Sequence, residues 1–577
     1  MRIGILALVI AGPAAAQAPD LILTNANILT VDARTPRAEA VAVRGGVIVA
    51  VGKADAVGKL AGAGTKVVDL GGRTMVPGFY DNHIHLSGPL QPWRYSSMIE
   101  AVPEWLVGVT TIPALVAAIK AQVAKTPKGE WIVGEVSREE WPNTALPSKA
   151  DFDAVAPDNP VSIARGPHTL LVNSAALVAA KVTKDTHPKG GEIVRDARGE
   201  PTGKVLEAAR RVIWDAMPPE KLRGVSSPEQ KMADWRTQLR QLVSLGVTTA
   251  NVAGLRGDDF KTLDFIYGVV GDELPRLRTQ LRVYPGYDRH DDPEEGVRVS
   301  IKEIEAIDRN KVFSHPKLKM GAVKMSIDGG MSAPIFWSTK EYENRPGFTG
   351  EQRIPDSAFY RTAKRAHELG WQLGIHVMGD AAVVMTVNEF GRILAELPRA
   401  DHRNYLHHVA VKPPQATIDK MADLGLAVAS QPGFLLSLGS YADEALEPAR
   451  ELTQEPAGSL VKRGIRVSFG SDAGPYGPIA AIYAAVTRRT WNGTVKGLAE
   501  EGVSAADALR MHTAESAWMT FDEKTLGSIE VGKAADFAVL SADLLGIDPE
   551  RIQDIKVERT FIAGKQVYDR TTEVAAR

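Results

Sequence analysis

Two histidines separated by one residue, His83 and His85, directly follow an apolar stretch of the chain. In an extended segment, residues two apart point to the same side, so both imidazole rings can reach one metal ion. An H-x-H pair alone also fits two hydrogen-bonding surface histidines. Its position favours a metal site, because the catalytic residues of parallel barrels gather where the strands end.

Residues of similar chemical character end or lie within later apolar runs. They are Lys324, His376, His408 and Asp472. Each has a structural alternative: a core histidine bonded to a carbonyl, a lysine that extends its amine to solvent, or an aspartate that caps a helix. Their recurrence at successive strand ends favours one shared centre over independent accidents. Lys324 stands out, because an ammonium group in its apolar surroundings would be costly.

Apolar segments followed, in most cases, by helical patterns supply the elements that must position these residues. The predicted strands are Thr74–Tyr80, Val247–Val252, Leu281–Tyr287, Ala322–Ile327, Gln372–Val377, Tyr405–Val409, Leu426–Ser430 and Ile465–Gly470. Near-continuous apolar strands that alternate with amphipathic helices predict a parallel sheet covered by helices. Eight such units close most economically into an α/β fold, the (β/α)₈ TIM barrel.

Short β-branched runs split by glycine and asparagine occupy both ends of the chain. They predict a small composite β-sandwich domain from residues 19–73 and 525–577, with the barrel at 74–524. The first two barrel strands are too far apart for one helix, so residues of about 90–235 form a predicted insertion. Its tryptophans are Trp93, Trp131, Trp141 and Trp214. A segment of this length is usually functional, and we expect a lid or a substrate wall.

The amino-acid composition excludes several kinds of catalytic site and partner. The 577-residue chain has no cysteine, which excludes thiolate metal sites, cysteine nucleophiles and disulfides. Any metal is therefore bound by nitrogen and oxygen, and the 12 histidines are the residues to follow. With 68 basic and 70 acidic residues, the formal charge is −2. This balance argues against nucleic acid as a partner and leaves a small-molecule substrate, with a homodimer as the default assembly.

The N-terminus has the pattern of a secretory signal peptide, predicted at residues 1–18. Met1-Arg2 precedes an apolar run, and Ala14–Ala18 supplies small residues for cleavage after Ala16 or Ala18. The run is shorter than the roughly 20 residues of a membrane span. We therefore expect an exported protein, periplasmic or secreted, whose mature chain has no membrane span.

The order of the candidate ligands resembles the amidohydrolase superfamily, and most closely its family 3 branch, which includes N-substituted formamide deformylases. Supporting stretches are Met75–Asp81, Arg165–His168, Asn173–Leu177, Leu245–Thr249, Ile375–Ala381, Ser430–Pro432, Gly470–Ala473 and Gly527–Asp536. The family usually carries a glutamate where this chain has His407. Family register and strand alternation favour His408 over His407 as the ligand. The segment after Asp328 also departs from the family pattern.

The resemblance implies that CO₂ carboxylates Lys324, which then bridges two divalent metal ions, with zinc as the default. His83, His85 and Asp472 would bind one ion, and His376 and His408 the other. A hydroxide shared by the metals would be the nucleophile, and Asp472 would transfer its proton to the leaving amine. A one-metal alternative needs only His83, His85, His376 and Asp472.

Two further residues are candidates for substrate binding. His168 is expected to contact the substrate and to bond the oxyanion, although a surface histidine in a turn fits its position too. Asp328 is expected to line the pocket on the grounds of its position alone.

The leading functional hypothesis is hydrolysis of a C–N amide bond in an N-acyl, N-formyl or cyclic amide. Alternatives on the same site are deamination of a heterocycle and hydrolysis of an ester or lactone. A non-catalytic exported binding protein is a third alternative. The presence of the full set of ligand-type residues counts against it, because a binding protein needs only some of them.

Overall fold

The computed structural model describes residues 17–86, 90, 103–136, 141, 146–166, 168–222, 227–332, 335–437, 445–472, 474–490 and 493–575. Within them, eight parallel strands pair in chain order to form a nearly closed barrel. The strands are β1 (Phe79–Ile84), β2 (Val247–Leu255), β3 (Arg276–Arg282), β4 (Leu318–Ser326), β5 (Leu373–Val377), β6 (Tyr405–His408), β7 (Ala427–Ser430) and β8 (Val467–Phe469). The predicted α/β barrel fold is confirmed.

Helices cover the outside of the barrel. They are Pro228–Ser244, Asp258–Val270, Pro293–Glu305, Asp356–Glu368, Asp380–Glu396, Gln415–Asp423, Phe434–Ser437, Pro448–Glu451, Ala457–Lys462, Pro478–Thr487, Ala505–Met511 and Ala514–Met519. Most of these helices share one large apolar core with the strands. Ala514–Met519 packs into two smaller clusters, and Pro448–Glu451 buries no side chain. Among the residues that the structure describes, no helix has both the length and the apolar character that a membrane span requires.

The barrel closes where β1 meets the segment after β8. A single bridge joins Ile84 to Asp472. Asp81 reinforces it, since its carboxylate accepts hydrogen bonds from the backbone N–H (2.9 Å) and the hydroxyl (2.5 Å) of Ser471. The strands approach so closely that a Cβ on Gly470 would lie 2.4 Å from the backbone nitrogen of His83. Closure therefore depends on glycine at this position.

The first barrel strand differs from its prediction. Thr74–Pro77 belongs to a separate sheet, and β1 begins only at Phe79. At the break, a Cβ on Gly78 would lie 2.2 Å from Oγ1 of Thr248, so the chain passes tightly over β2. A continuous apolar run from Thr74 to Tyr80 contains no change of period that could locate this break.

The third strand lies earlier than predicted, at Arg276–Arg282 instead of Leu281–Tyr287. Its sequence contains three arginines and a glutamine, a pattern that reads as surface. Arg278 and Gln280 are nevertheless buried, because the polar groups inside the barrel pair with one another. Gln280, for example, donates to Asn251 over 3.2 Å.

Both ends of the chain build a two-sheet β-unit. A four-stranded sheet contains Val47–Gly52, Ala40–Arg44, Leu21–Thr24 and Lys66–Asp69, in that order. A six-stranded sheet contains Lys565–Asp569, Val557–Ile562, Phe537–Leu540, Thr74–Pro77, Asn27–Leu29 and Arg37–Ala38. Residues from both termini share its core. The helices Ala54–Gly58 and Arg570–Ala575 accompany these strands. The predicted signal peptide falls almost wholly on residues 1–16, outside the described residues.

The insertion between β1 and β2 forms a five-stranded sheet of its own. The strand order is Gly191–Arg195, Pro201–Glu207, Thr169–Val172, Val161–Arg165 and Ile132–Val136. Its helices are Ile112–Val123, Lys149–Asp153, Ser174–Ala179 and Arg210–Trp214. Trp131 and Trp141 lie in its two apolar cores, whereas Trp214 lines a cavity at the barrel mouth. Trp93 lies outside the described residues.

A buried ionic group holds β1, β3 and the C-terminal helices together. Nε of Arg278 lies 2.5 Å from the Asp522 carboxylate, which also accepts from Tyr80 (3.1 Å) and Lys319 (3.0 Å). Burial would raise the pKa of Asp522, but the positive charges of Arg278 and Lys319 lower it below its usual range. The carboxylate is therefore kept ionised at the base of the barrel.

We predict that Arg278→Met lowers the free energy of unfolding by about 3–5 kcal/mol, because it leaves a buried carboxylate without its main partner. Lys319→Met is the matched control. Its side chain is 55% exposed, so it should cost under about 1 kcal/mol. Urea unfolding followed by tryptophan fluorescence measures both free energies of unfolding. Equal decreases in the two variants would contradict the assignment of Arg278 as the main partner of Asp522.

Candidate metal centre

The mouth of the barrel brings three predicted ligands together. Ligand atoms of His83, His408 and Asp472 all lie within 4.8 Å of one another. His85, at the end of β1, places its Nε2 3.1 Å from Oδ1 of Asp472 and 3.4 Å from Nε2 of His83. The H-x-H pair thus converges as strand alternation requires.

His408 reaches this cluster by an unexpected route. Tyr405 and His407 share the interior face of β6, where Nε2 of His407 bonds Oε1 of Gln280 over 3.1 Å. Simple alternation would turn His408 away from that face. Its backbone instead takes a left-handed conformation with φ 71°, and the ring swings towards the site. The prediction based on alternation had the wrong physical basis, although the geometry favours the same residue.

Gln431, which follows β7, orients the His408 ring. Its Oε1 accepts a hydrogen bond from Nδ1 of His408 at 2.6 Å, while its amide nitrogen donates to the carbonyl of Ala429 at 2.8 Å. Because Nδ1 carries the proton, the lone pair is left on Nε2. That nitrogen is buried and has no hydrogen-bond partner in the described part of the chain. A histidine nitrogen with a free lone pair, whose partner nitrogen donates a hydrogen bond, is in the state that binds metal ions.

Lys324 and His376 extend the centre along β4 and β5. Nζ of Lys324 and Nε2 of His376 are buried without hydrogen-bond partners among the described residues. The rings of His376 and His408 are 4.4 Å apart. Burial, with the charge of Arg282, lowers the pKa of Lys324 well below its usual value. Burial therefore favours the neutral form of this amine over the ammonium.

Three histidines of the centre are held in the neutral form that metal binding needs. Burial lowers the pKa of His83 and His376 well below the usual value and that of His408 to about 3. For Asp472 burial acts in the opposite direction, but the hydrogen bond and charge of His85 hold its pKa well below the usual range. Neutral imidazoles, an ionised carboxylate and orphaned nitrogens around one cavity fit divalent metal ions.

Asp328 is completely buried and does not line the cavity. Its carboxylate accepts backbone hydrogen bonds from Trp337 (3.0 Å), Met378 (2.9 Å) and Gly379 (2.8 Å), and lies 3.8 Å from Nε2 of His376. Its bonds therefore fix the loop that follows β5. This placement favours positioning of His376 over the substrate contact predicted for Asp328.

The centre opens into a cavity of about 380 Å³. His168, from the insertion, lines it and places Nδ1 2.7 Å from Oε1 of Glu207. Burial would raise the pKa of Glu207, but His168, Arg353 and Arg210 lower it to about 2. Gly330 makes room for this pair, since a Cβ there would lie 2.6 Å from Nε2 of His168. The departure from the family pattern after Asp328 thus accommodates the insertion.

Sequence reasoning missed Glu207 and Gln431. Gln431 stood within a recognised motif immediately after β7, and its place at a strand end was the available signal. Glu207 ends a strand of the insertion, and its sequence neighbourhood contains no motif. Only the fold shows that it faces His168.

We predict that Gln431→Leu weakens metal binding about 10- to 100-fold, because His408 loses the acceptor that fixes its tautomer. Gln280→Leu is the matched control, since Gln280 holds the neighbouring His407 in the same way. Metal retained after dialysis against graded chelator concentrations measures the effect. A larger loss in the Gln280 variant would assign the ligand to His407.

The comparisons with known proteins agree with this geometry. The model of the amidohydrolase family matches residues 66–568. The putative amidohydrolase YtcJ of Bacillus subtilis is 28% identical over 546 residues, covering 93% of this chain and 97% of that protein. The N-substituted formamide deformylase of Arthrobacter pascens is 30% identical over 571 residues, covering 96% and 99%.

Solved structures share the fold. An uncharacterised metal-dependent hydrolase from Pyrococcus horikoshii OT3 superposes with a TM-score of 0.66 at 21% identity, covering 92% of this chain and 99% of that one. Because the family model spans the barrel and strands from both termini, and the deformylase is 30% identical over nearly the whole chain, this chain belongs to the amidohydrolase family.

Proposed function

We propose that this enzyme hydrolyses a C–N amide-type bond in a small molecule: an N-acyl, N-formyl or cyclic amide. The observation that carries the proposal is the buried amine of Lys324, which has no hydrogen-bond partner in the described structure and lines the same cavity as His85, His376, His408 and Asp472. The 30% identity to an N-substituted formamide deformylase supports the same bond type.

His83, His85 and Asp472 would hold one divalent ion, and His376 and His408 a second. His408 adjoins both sets, because its ligand atom clusters with those of His83 and Asp472 while its ring contacts that of His376. Addition of CO₂ to Nζ of Lys324, with loss of a proton, would turn a costly unpartnered amine into an anionic metal ligand. Zinc suits these nitrogen and oxygen ligands. The metal supplies polarisation of the scissile carbonyl and acidification of water.

The protein groups handle the proton and the developing charge. Asp472 is ionised and accepts the proton of the attacking water, which it then delivers to the nitrogen of the leaving amine. His168 donates to the carbonyl oxygen as negative charge develops there. Glu207 holds the imidazole of His168 through Nδ1 and so fixes the ring at the cavity wall.

Export remains our proposal for the location of the enzyme. It rests on the basic start, apolar run and small-residue cleavage pattern within residues 1–18.

Metal content and turnover test the proposal together. We expect about two ions per chain in protein purified without chelator, and release of amine and acid from N-formyl and N-acetyl amines. Lys324→Ala should remove turnover and at least one ion. Lys319→Ala, on the same strand but at the base of the barrel, should change neither. Release of ammonia from heterocycles, without amide cleavage, would replace the proposal with deamination.

The role of His168 is tested through its neighbour. Gly330→Ala places a Cβ 2.6 Å from Nε2 of His168, so the ring must move, and a shift of this size lowers kcat about 10- to 100-fold. Metal content should not change. Gly268→Ala, where a Cβ meets nothing within 4 Å, is the control. An unaltered kcat in the Gly330 variant would place His168 outside catalysis.

A further inference from the structure

Arginine dominates one part of the catalytic cavity. The lining residues include Arg210, Arg282, Arg289 and Arg353, besides the metal-centre residues. Their carboxylate neighbours are Asp288 and Glu207. Both are engaged by Arg353, whose Nε lies 2.8 Å from Asp288 and whose Nη1 lies 3.4 Å from Glu207.

The other three arginines have no carboxylate at ion-pair distance within the described ranges of the chain. Arg210 donates through Nε to the backbone carbonyl of Glu207 at 2.9 Å and stacks over Trp214 at 4.6 Å. Arg289 stacks over Tyr284, 4.6 Å from the ring centroid. Arg289 is exposed, whereas Arg282 is partly buried without a carboxylate of its own. A partly buried guanidinium that lacks its own counter-charge favours the binding of an anion.

Arg282 is the arginine nearest the chemistry. It ends β3 directly beside Lys324 on β4, its register partner. Its Nη2 donates to the hydroxyl of Ser326 at 3.2 Å, and its guanidinium stacks on Tyr284 at 5.1 Å. Its Nε is buried and bonds no residue that the structure describes. The bond to Ser326 is the one side-chain hydrogen bond of Arg282 among the described residues, so the side chain is held in place while the outer edge of its guanidinium, away from the buried Nε, is left for a ligand in the cavity that Arg282 lines.

We propose that the substrate carries a carboxylate close to the scissile amide, and that Arg282 binds it, assisted by Arg289. Neighbouring strands are about 4.8 Å apart, so a carboxylate on Arg282 lies only a few bonds from an amide at Lys324. N-acyl and N-formyl amino acids have this spacing. A planar guanidinium with a free donor suits a carboxylate. This inference rests on the proposed amide hydrolysis and names its substrate class.

Matched substrate pairs test the inference on the purified full chain. Each N-formyl amino acid (alanine, leucine, phenylalanine) is compared with the N-formyl amine that lacks only the carboxylate. We expect kcat/KM to favour the acid by roughly 10- to 100-fold, as a charge-assisted hydrogen bond would give. Arg282→Met should bring this ratio near one.

Arg256→Met is the matched control. Arg256 also stacks on Tyr284 at 5.1 Å, but it pairs with Glu303 and does not line the catalytic cavity. The preference for the acid should survive in this variant. If Arg282→Met lowers kcat/KM equally for the acid and for the amine substrate, and the metal content also falls, then Arg282 serves to position Lys324. That outcome would overturn the inference.

Binding to chelator-treated protein separates this inference from the proposed function, since no metal is then present to bind a carboxylate. Calorimetry should show that N-formylphenylalanine binds and N-formylphenethylamine does not, with the difference lost in Arg282→Met. If this difference in binding is found but the metal-containing enzyme cleaves neither compound, amide hydrolysis is rejected while the carboxylate-binding site is supported. Equal or no binding of the two compounds would overturn the inference, as would turnover of both with equal kcat/KM.

Discussion

The meeting of the first and last barrel strands is the contact on which the rest of the site depends. His83 and His85 lie at the end of β1, and Asp472 follows β8, so the bridge that closes the barrel also assembles the metal centre. Asp81 and Gly470 serve the closure directly, one by bonding Ser471 and the other by allowing the strands to touch. Closure of the barrel and assembly of the candidate metal site therefore share one set of backbone contacts.

This arrangement carries an energetic cost that only the function explains. Nitrogens of Lys324, His376 and His408 are buried, and within the described structure they bond nothing. Removal of such groups from water without partners costs on the order of 1–3 kcal/mol each. The apolar core around the barrel offsets that cost. Burial also keeps these imidazoles neutral, so the environment that destabilises the fold also suits them to metal binding.

The sequence was sufficient for the fold class and for the residues that meet at the barrel mouth, because strand ends and ligand types leave a local signal. It could not locate the break at Gly78, where one apolar run contains two strands of different sheets. It misplaced β3, since buried polar residues such as Arg278 resemble a surface. The role of Glu207 and the left-handed backbone of His408 could not be predicted from the sequence, because both depend on contacts between distant segments.

The insertion has its own sheet and its own apolar cores, yet His168, Glu207, Arg210 and Trp214 from it line the catalytic cavity. The catalytic centre and the surface that surrounds the substrate are thus encoded in separately packed parts of one chain. Substitutions or length changes in the insertion can alter which molecules are accepted while the closing strands stay intact. Changes in substrate acceptance therefore need not disturb the strands that close the barrel.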